Sequence, residues 1–261
     1  MQHAAFNEYA ALYDEHFTHS ITGTAQRNRV YALLAHELTN TASVLELNCG
    51  TGEDASWLAQ KGFTVLATDG SQGMVMKAAL KNAARRNVIV SLADLRTPAQ
   101  LPPQKTDLIF SNFGGLNCLS PHELRQLAPA LKQRLAKNGK AVLVVMGRGC
   151  WWEKFYFLLK RDARRKRRSS KDSVTAVIEG EPVNTWYYTP AEFAALFAPH
   201  FRIKNTSAVG LFIPPSYLEP FFARKAFLFS ILAGLDRLLA RGSWCANAAD
   251  HFLITLEPSE T

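Results

Sequence analysis

Apolar and polar positions along this chain alternate between two periods. Short apolar runs at 44–47, 63–68, 88–92, 106–111 and 140–146 read as strands buried on both faces. Between them, apolar residues recur three and four apart, which is the spacing of one helical face. The alternation predicts an α/β domain built on a largely parallel sheet. Element ends are also marked. Ser71 is placed to cap a helix through Met74, Val75, Ala78 and Ala79, and Asn138-Gly139 is a stop for a helix over 121–136. Ser120-Pro121-His122-Glu123 and Thr189-Pro190-Ala191-Glu192 are capping boxes, each with proline at the first helical position. A strand over 201–209 and a last one, HFLITLE, close the pattern. At the start, Phe6, Tyr9, Tyr13 and Phe17 share one helical face, followed by a helix over 30–38. Two aromatic-rich stretches, 148–189 and 211–248, interrupt the alternation as insertions.

The most informative stretch is 43–69. Val44, Leu45 and Leu47 form a strand that stops at Asn48-Cys49-Gly50-Thr51-Gly52, and the next strand ends on Asp69. Gly50 and Gly52 let backbone approach a ligand where a Cβ would collide. In an open α/β sheet, ligands sit outside the carboxyl ends of the strands, and an acid about 20 residues past the glycine turn accepts ribose hydroxyls. Asp69 has that place. The turn lacks the third glycine of a dinucleotide site, and a charged Glu46 would repel a pyrophosphate. A ligand with ribose, adenine and a positive end fits better, and a nicotinamide oxidoreductase is disfavoured.

E-L-N-C-G-T-G followed by A-T-D resembles the glycine motif and ribose acid of class I S-adenosylmethionine-dependent methyltransferases. The likeness is to the small-molecule branch that includes the ubiquinone and menaquinone methyltransferases, and it covers roughly residues 6–147. The resemblance implies a single Rossmann-like domain over 1–261, with a seven-stranded, mostly parallel sheet, helices on both faces and an antiparallel last strand. It further implies an N-terminal helical lid (1–40), a cofactor-binding core (41–147) and two insertions forming a cap over the acceptor. S-adenosylmethionine would be held by Tyr13, Arg27, Glu46, Asn48, Cys49, Gly50, Thr51, Gly52, Asp69, Gly70, Met74, Asp94, Leu95 and Asn112. Within that set, Arg27 would reach the methionine carboxylate, Met74 would pack near the adenine, and Asp94 would accept its amino hydrogens.

The acceptor pocket would be lined by Tyr9, Phe113 and Asn117, with Trp152, Tyr156 and Tyr187 from the first insertion. These aromatics point to an apolar or aromatic small molecule rather than a sugar or nucleic acid. A sulfonium carries an already activated methyl group, so positioning supplies most of the catalysis. For an ionisable acceptor a general base would help; His16, His19, His251 and Tyr187 are candidates, and His16, in the lid, is assigned the role. Cys118 has no neighbour in sequence that would activate it as a nucleophile.

Composition adds little to this. The four cysteines are scattered without a paired motif, which indicates neither a zinc site nor a disulfide framework and suits a reducing, cytosolic chain. No leader pattern and no run of about 18 apolar residues is found. Much of the net charge of +8 sits in one cluster over 160–171. That cluster reads first as a solvated loop, next as a contact for an anionic membrane surface, and only then as an RNA contact, because its charges are not interleaved with stacking aromatics. The stretch over 221–244, apolar with Arg224, Lys225, Arg237 and Arg241 along it, suits either an interfacial helix or a buried one with snorkelling cations. A non-catalytic nucleotide-binding module would be expected to have lost part of the Gly50, Gly52, Asp69 and Asp94 set, all of which is present.

Overall fold

A computed structural model describes residues 6–7, 10–178, 181–240 and 242–260. The elements follow the alternation: α1 (Ile21–Ala35), β1 (Ser43–Leu47), α2 (Glu53–Gln60), β2 (Thr64–Asp69), α3 (Gln72–Lys81), β3 (Val88–Leu92), β4 (Thr106–Ser111), α4 (Pro121–Gln133), β5 (Leu135–Met146), α5 (Trp151–Leu159), β6 (Val174–Ile178), β7 (Glu181–Thr185), α6 (Pro190–Phe197), β8 (Phe201–Val209), α7 (Ala226–Leu239) and β9 (His251–Pro258). Seven strands form one sheet in the order β3-β2-β1-β4-β5-β9-β8. The first five are parallel, and β9 runs antiparallel between β5 and β8.

The apolar runs are nearly continuous because both sheet faces are covered. Val44 and Leu108 point into one core with Val30, Leu34 and Leu58, while their neighbours Leu45 and Ile109 point into the other with Leu127, Phe193 and Phe252. Each large apolar side chain so buried contributes roughly 1.5–3 kcal/mol relative to exposure. Strand order reverses between β1 and β4, and the crevice at their carboxyl ends is where such a sheet takes its ligand.

Ser71, Ser120 and Thr189 cap their helices, the last two as complete capping boxes. Other boundaries differ from the sequence reading. Helix α1 starts at Ile21, well before 30: Ser20 accepts from Gly23 N, and the Glu219 carboxylate accepts from Ile21 N and Thr22 N at 2.8 and 3.2 Å. Its early turns bury Gln26 and Arg27, polar residues that an apolar stripe does not reveal. Helix α4 ends at Gln133 rather than 136, because the Arg134 guanidinium donates to the carbonyls of Pro98, Leu101, Pro102 and Ala130 and Leu135 pairs with Thr106. The first insertion contains the antiparallel pair β6–β7. The second forms a single turn, Glu219–Phe222, and then α7, not one continuous helix.

Candidate active site

At the carboxyl ends of β1, β2 and β4 lies a cavity of about 510 Å³. Its floor is the turn after β1, where Asn48 (φ 46°) and Gly50 (φ 54°) both take left-handed backbone conformations. A Cβ on Gly50 would meet only the Tyr13 ring, 3.9 Å away, so the turn is an open cradle. Gly52 (φ 80°) acts differently. A Cβ there would fall 2.8 Å from Asn82 Nδ2 and 2.9 Å from Ala78, so this glycine lets α2 pack on α3 and does not line the cavity. The Asp69 carboxylate accepts from Gly50 N at 2.9 Å through Oδ2 and from Ser71 N at 2.8 Å through Oδ1. A carboxylate offers about four acceptor sites, so these oxygens can also accept from a ligand. Further along the same wall, Asp94 accepts from Arg96 N, with Gly70, Met74 and Leu95 lining beside it.

A buried polar hub supports the cradle. Asp54 accepts from Arg27 Nη1 at 2.6 Å, Tyr31 Oη at 2.7 Å and Asn112 Nδ2 at 2.9 Å. Arg27 is therefore a buried cation paired with Asp54, and its guanidinium lies 5.2 Å from the Phe113 ring centre. Glu46 lies beneath, fully buried, with Oε2 lacking a hydrogen-bond partner. Burial pushes its carboxyl well above the usual range, and Asp54 and Asp69 add to that push against the pull of Arg27. The expectation that its charge repels phosphate is thus corrected: the carboxyl is buried behind the cavity, and burial disfavours its charged form.

The N-terminal segment closes over the cradle. Asp14 accepts from Thr51 Oγ1 at 2.5 Å and pairs with Lys81 at 2.8 Å, while Asn7 Oδ1 accepts from Ser71 Oγ and Gly73 N. Tyr13, Phe17, Phe113 and His251 then form a chain of ring contacts at 5.7, 5.1 and 5.6 Å. Phe113 sits at φ 44°, a conformation that costs a bulky residue energy and turns this ring toward the cavity it lines.

The far end is built by the insertions. Tyr187, Thr185, Val183 and Ala176 line it from the first, and Pro215 and Ser216 from the second. Two members of the basic run leave solvent, while Lys160, Arg161, Lys166 and Lys171 stay exposed. Arg168 turns inward, donating to Glu153 at 2.9 Å and Asp250 at 2.7 Å and to the carbonyls of Gly147 and Asp250, and its guanidinium stands 4.9 Å from the Tyr187 ring centre. Arg167 pairs with the same Glu153. Burial opposes charge on Asp250, but Arg168 and His251 hold its carboxyl well below the usual carboxylate range. Gln26 donates to the same group, and His251 Nδ1 lies 3.2 Å from it, an ion-pair distance without an aligned hydrogen bond. Burial raises the Tyr187 phenol against the pull of Arg168 and Arg167, which leaves it neutral, and raises the Cys118 thiol to about 11, so neither is an activated nucleophile.

Of the residues expected to hold the cofactor, Tyr13, Arg27, Asn48, Cys49, Gly50, Thr51, Asp69, Gly70, Met74, Asp94, Leu95 and Asn112 line this cavity; Glu46 and Gly52 stand behind it. The acceptor set is more divided. Phe113 and Tyr187 line the cavity. Asn117 instead ties Met146 and Trp186 together through their backbone, Trp152 donates to Phe212 O and packs on Phe222, and Tyr156 meets Phe157 and Lys160 away from the cavity. Tyr9 lies outside the described residues. His16 is exposed on the outer side of its helical turn and does not reach the cavity; His251 does. Sequence reasoning missed Asp54, Asp250, Arg168 and Gln26. An acid in the first turn after the glycines was the one signal available for Asp54.

Residues 44–139 match the family model described as a methyltransferase domain. Over 92 residues the chain is 36% identical to phosphoethanolamine N-methyltransferase 3 of Arabidopsis thaliana, a match over 35% of this chain and 19% of that protein, so it spans about a fifth of that relative's length. Among solved structures, the PH0226 protein of Pyrococcus horikoshii OT3 superposes with a TM-score of 0.63 at 19% identity, over 97% of this chain and 99% of that one. The DhpI-SAM-HEP complex gives 0.61 at 16% identity, over 98% and 95%. An S-adenosylmethionine-dependent methyltransferase of Clostridium acetobutylicum gives 0.60 at 12% identity, over 98% and 99%. Residues 44–139 thus resemble a methyltransferase domain, and the chain as a whole shares the fold of these solved structures, an S-adenosylmethionine-dependent methyltransferase among them.

Proposed function

We propose that this chain transfers the methyl group of S-adenosylmethionine to an apolar or aromatic small molecule, and that His251 accepts the proton the acceptor gives up. The open cradle at Gly50 and the acceptor oxygens of Asp69 beside it fit a ligand that carries ribose. When bound, S-adenosylmethionine supplies the activated methyl group. The protein's own residues do the rest. Asp69 holds ribose, Asp94 takes the adenine amino group, and the paired Arg27 and Asp54 fix Asn112 and Phe113 between the two ends of the cavity. On the acceptor side, Phe113, Met146, Tyr187 and Val183 offer mainly apolar surface.

The single observation that carries the reading is the Asp250–His251 pair facing this surface. A carboxylate locked in its charged form by Arg168 stabilises the imidazolium that forms when His251 takes a proton. Neither member is next to the glycine turn in sequence: Asp250 immediately precedes β9 and His251 is its first residue. The test is formation of S-adenosylhomocysteine from S-adenosylmethionine by the purified chain, against a panel of phenols, aliphatic alcohols, amines and sugars. Turnover on phenols that falls about 10²–10⁴-fold in His251→Gln, with cofactor affinity kept, is the expected result. Turnover confined to sugars or aliphatic amines, or a variant as active as the parent, would overturn it.

A further inference from the structure

The insertions present an outer surface that the cavity does not use. On α5, Trp151, Phe155, Leu158 and Leu159 stand at the spacing of one helical face, and all are more than half exposed. On α7 a second stripe, Phe227, Ile231 and Leu238, faces outward, with Phe227 81% exposed. The inner faces of the two helices cover one small core: Trp152 and Phe229 both meet Phe222, at 6.0 and 6.2 Å between ring centres. Trp151 and Phe221, next in sequence to Trp152 and Phe222, are both exposed. An apolar surface of this extent is a binding surface or a liability.

Charge selects the occupant. Over 151–161 and 219–240, each exposed charge is positive: Lys154, Lys160, Arg161, Arg224, Lys225 and Arg237. The acids in these segments are engaged elsewhere, Glu153 with Arg167 and Arg168, Asp236 beneath α7 at Phe212 N, and Glu219 at the start of α1. Two further features fit a bilayer. Lys160 and Lys225 lie 4.9 and 4.6 Å from the Tyr156 and Phe221 rings, so aromatic and cation share one level, as at a headgroup boundary. No helix among the described residues is long and apolar enough to cross a membrane, so the contact would be peripheral. A second copy of this chain would bring the same positive rim against itself, which charge repulsion disfavours.

We propose that α5, the turn Glu219–Phe222 and α7 form a docking surface for an anionic phospholipid bilayer. The apolar stripes enter the acyl boundary and the six cations meet the headgroups. Pro215 and Ser216, which precede the turn in the chain, and Arg167, which follows α5, line the cavity. The surface is independent of the chemistry proposed above, and its test needs no acceptor.

The full chain is floated with vesicles of phosphatidylcholine alone and with vesicles containing about a third phosphatidylglycerol. Binding to the anionic vesicles that weakens with salt is expected, with little binding to the neutral ones. The triple variant Phe227→Ser, Ile231→Ser, Leu238→Ser and the double variant Arg224→Glu, Lys225→Glu should each bind on the order of tenfold more weakly or worse. Both alter exposed side chains, and unchanged S-adenosylhomocysteine affinity and circular dichroism would show that they fold. No vesicle binding, equal binding to neutral vesicles, or variants that bind like the parent would overturn the proposal. So would light scattering that finds a dimer in the parent which the triple variant dissolves, since the stripes would then serve a second copy.

Discussion

Arg168→Met removes the cation that organises the acceptor end, and its cost follows from what is left behind. Arg168 is buried and donates to two carboxylates, Glu153 and Asp250, and to two carbonyls. Breaking one side of a buried ion pair typically costs about 3–5 kcal/mol, because a charge stays buried without its partner. Here the loss is partly cushioned: Glu153 keeps Arg167 at 2.8 Å, and Asp250 keeps Gln26 at 2.9 Å. About 3 kcal/mol is therefore expected from urea unfolding at neutral pH, the lower end of that range.

The pH dependence separates this cause from simple loss of packing. In the parent, Asp250 has a depressed pKa, so its contribution is complete above the unfolded value of about 3.9 and is lost as pH falls through the folded one. In the variant the pull of Arg168 is gone and burial is opposed only by His251 and Gln26, so that pKa moves up, and a group whose folded pKa moves up loses stability as pH rises. The deficit should thus shrink between pH 7 and about 4, as Asp250 takes a proton and needs no cation. Adding Asp250→Asn to the variant should recover at least half of the loss. A deficit below about 1 kcal/mol, or one that stays constant across that pH range, would refute the reasoning.

Two other variants test the cofactor side. Glu46→Gln keeps the shape of the buried carboxyl and removes its acid; because the raised pKa costs stability as pH rises, the variant should gain a few degrees in Tm at pH 8 and much less at pH 5, and an equal gain at both would discard the protonated state. Gly52→Ala places a Cβ 2.8 Å from Asn82 Nδ2 in a left-handed backbone, so about 2–4 kcal/mol should be lost, whereas Gly62→Ala, with φ 93° and open space around it, should show only the backbone cost of about 1–2 kcal/mol. Equal losses at the two glycines, read from denaturation midpoints, would remove the packing role of Gly52.

The cofactor half of the site was legible because its parts are close in sequence and fixed by local geometry. A strand, a glycine turn and a strand-end acid lie within 27 residues of one another, and the capping boxes at Ser120 and Thr189 are four-residue signals. The acceptor half depends on contacts that no local pattern carries. Gln26 meets Asp250 across 224 residues, and Arg168 reaches it across 82. A basic run looks the same in sequence whether its members face water or a carboxylate, so Arg168 passed as one solvated charge among many. Facing is also what separates the histidines: His16 and His251 have equal chemistry, and only the fold turns the second toward Phe113 and the cavity. Burial explains the remaining miss, since nothing in the order of residues around Glu46 indicates that its carboxyl has no cation of its own.

The most direct test of the central claim is calorimetric titration of the purified chain and of Asp69→Ala with S-adenosylhomocysteine, with NADH as the comparison ligand. Charge-assisted hydrogen bonds contribute about 1.5–3 kcal/mol each, so the expected result is saturable binding by the parent, about 10–100-fold weaker binding by the folded variant, and none of NADH. No heat from S-adenosylhomocysteine at millimolar concentration, or a variant that binds as tightly as the parent, would contradict it.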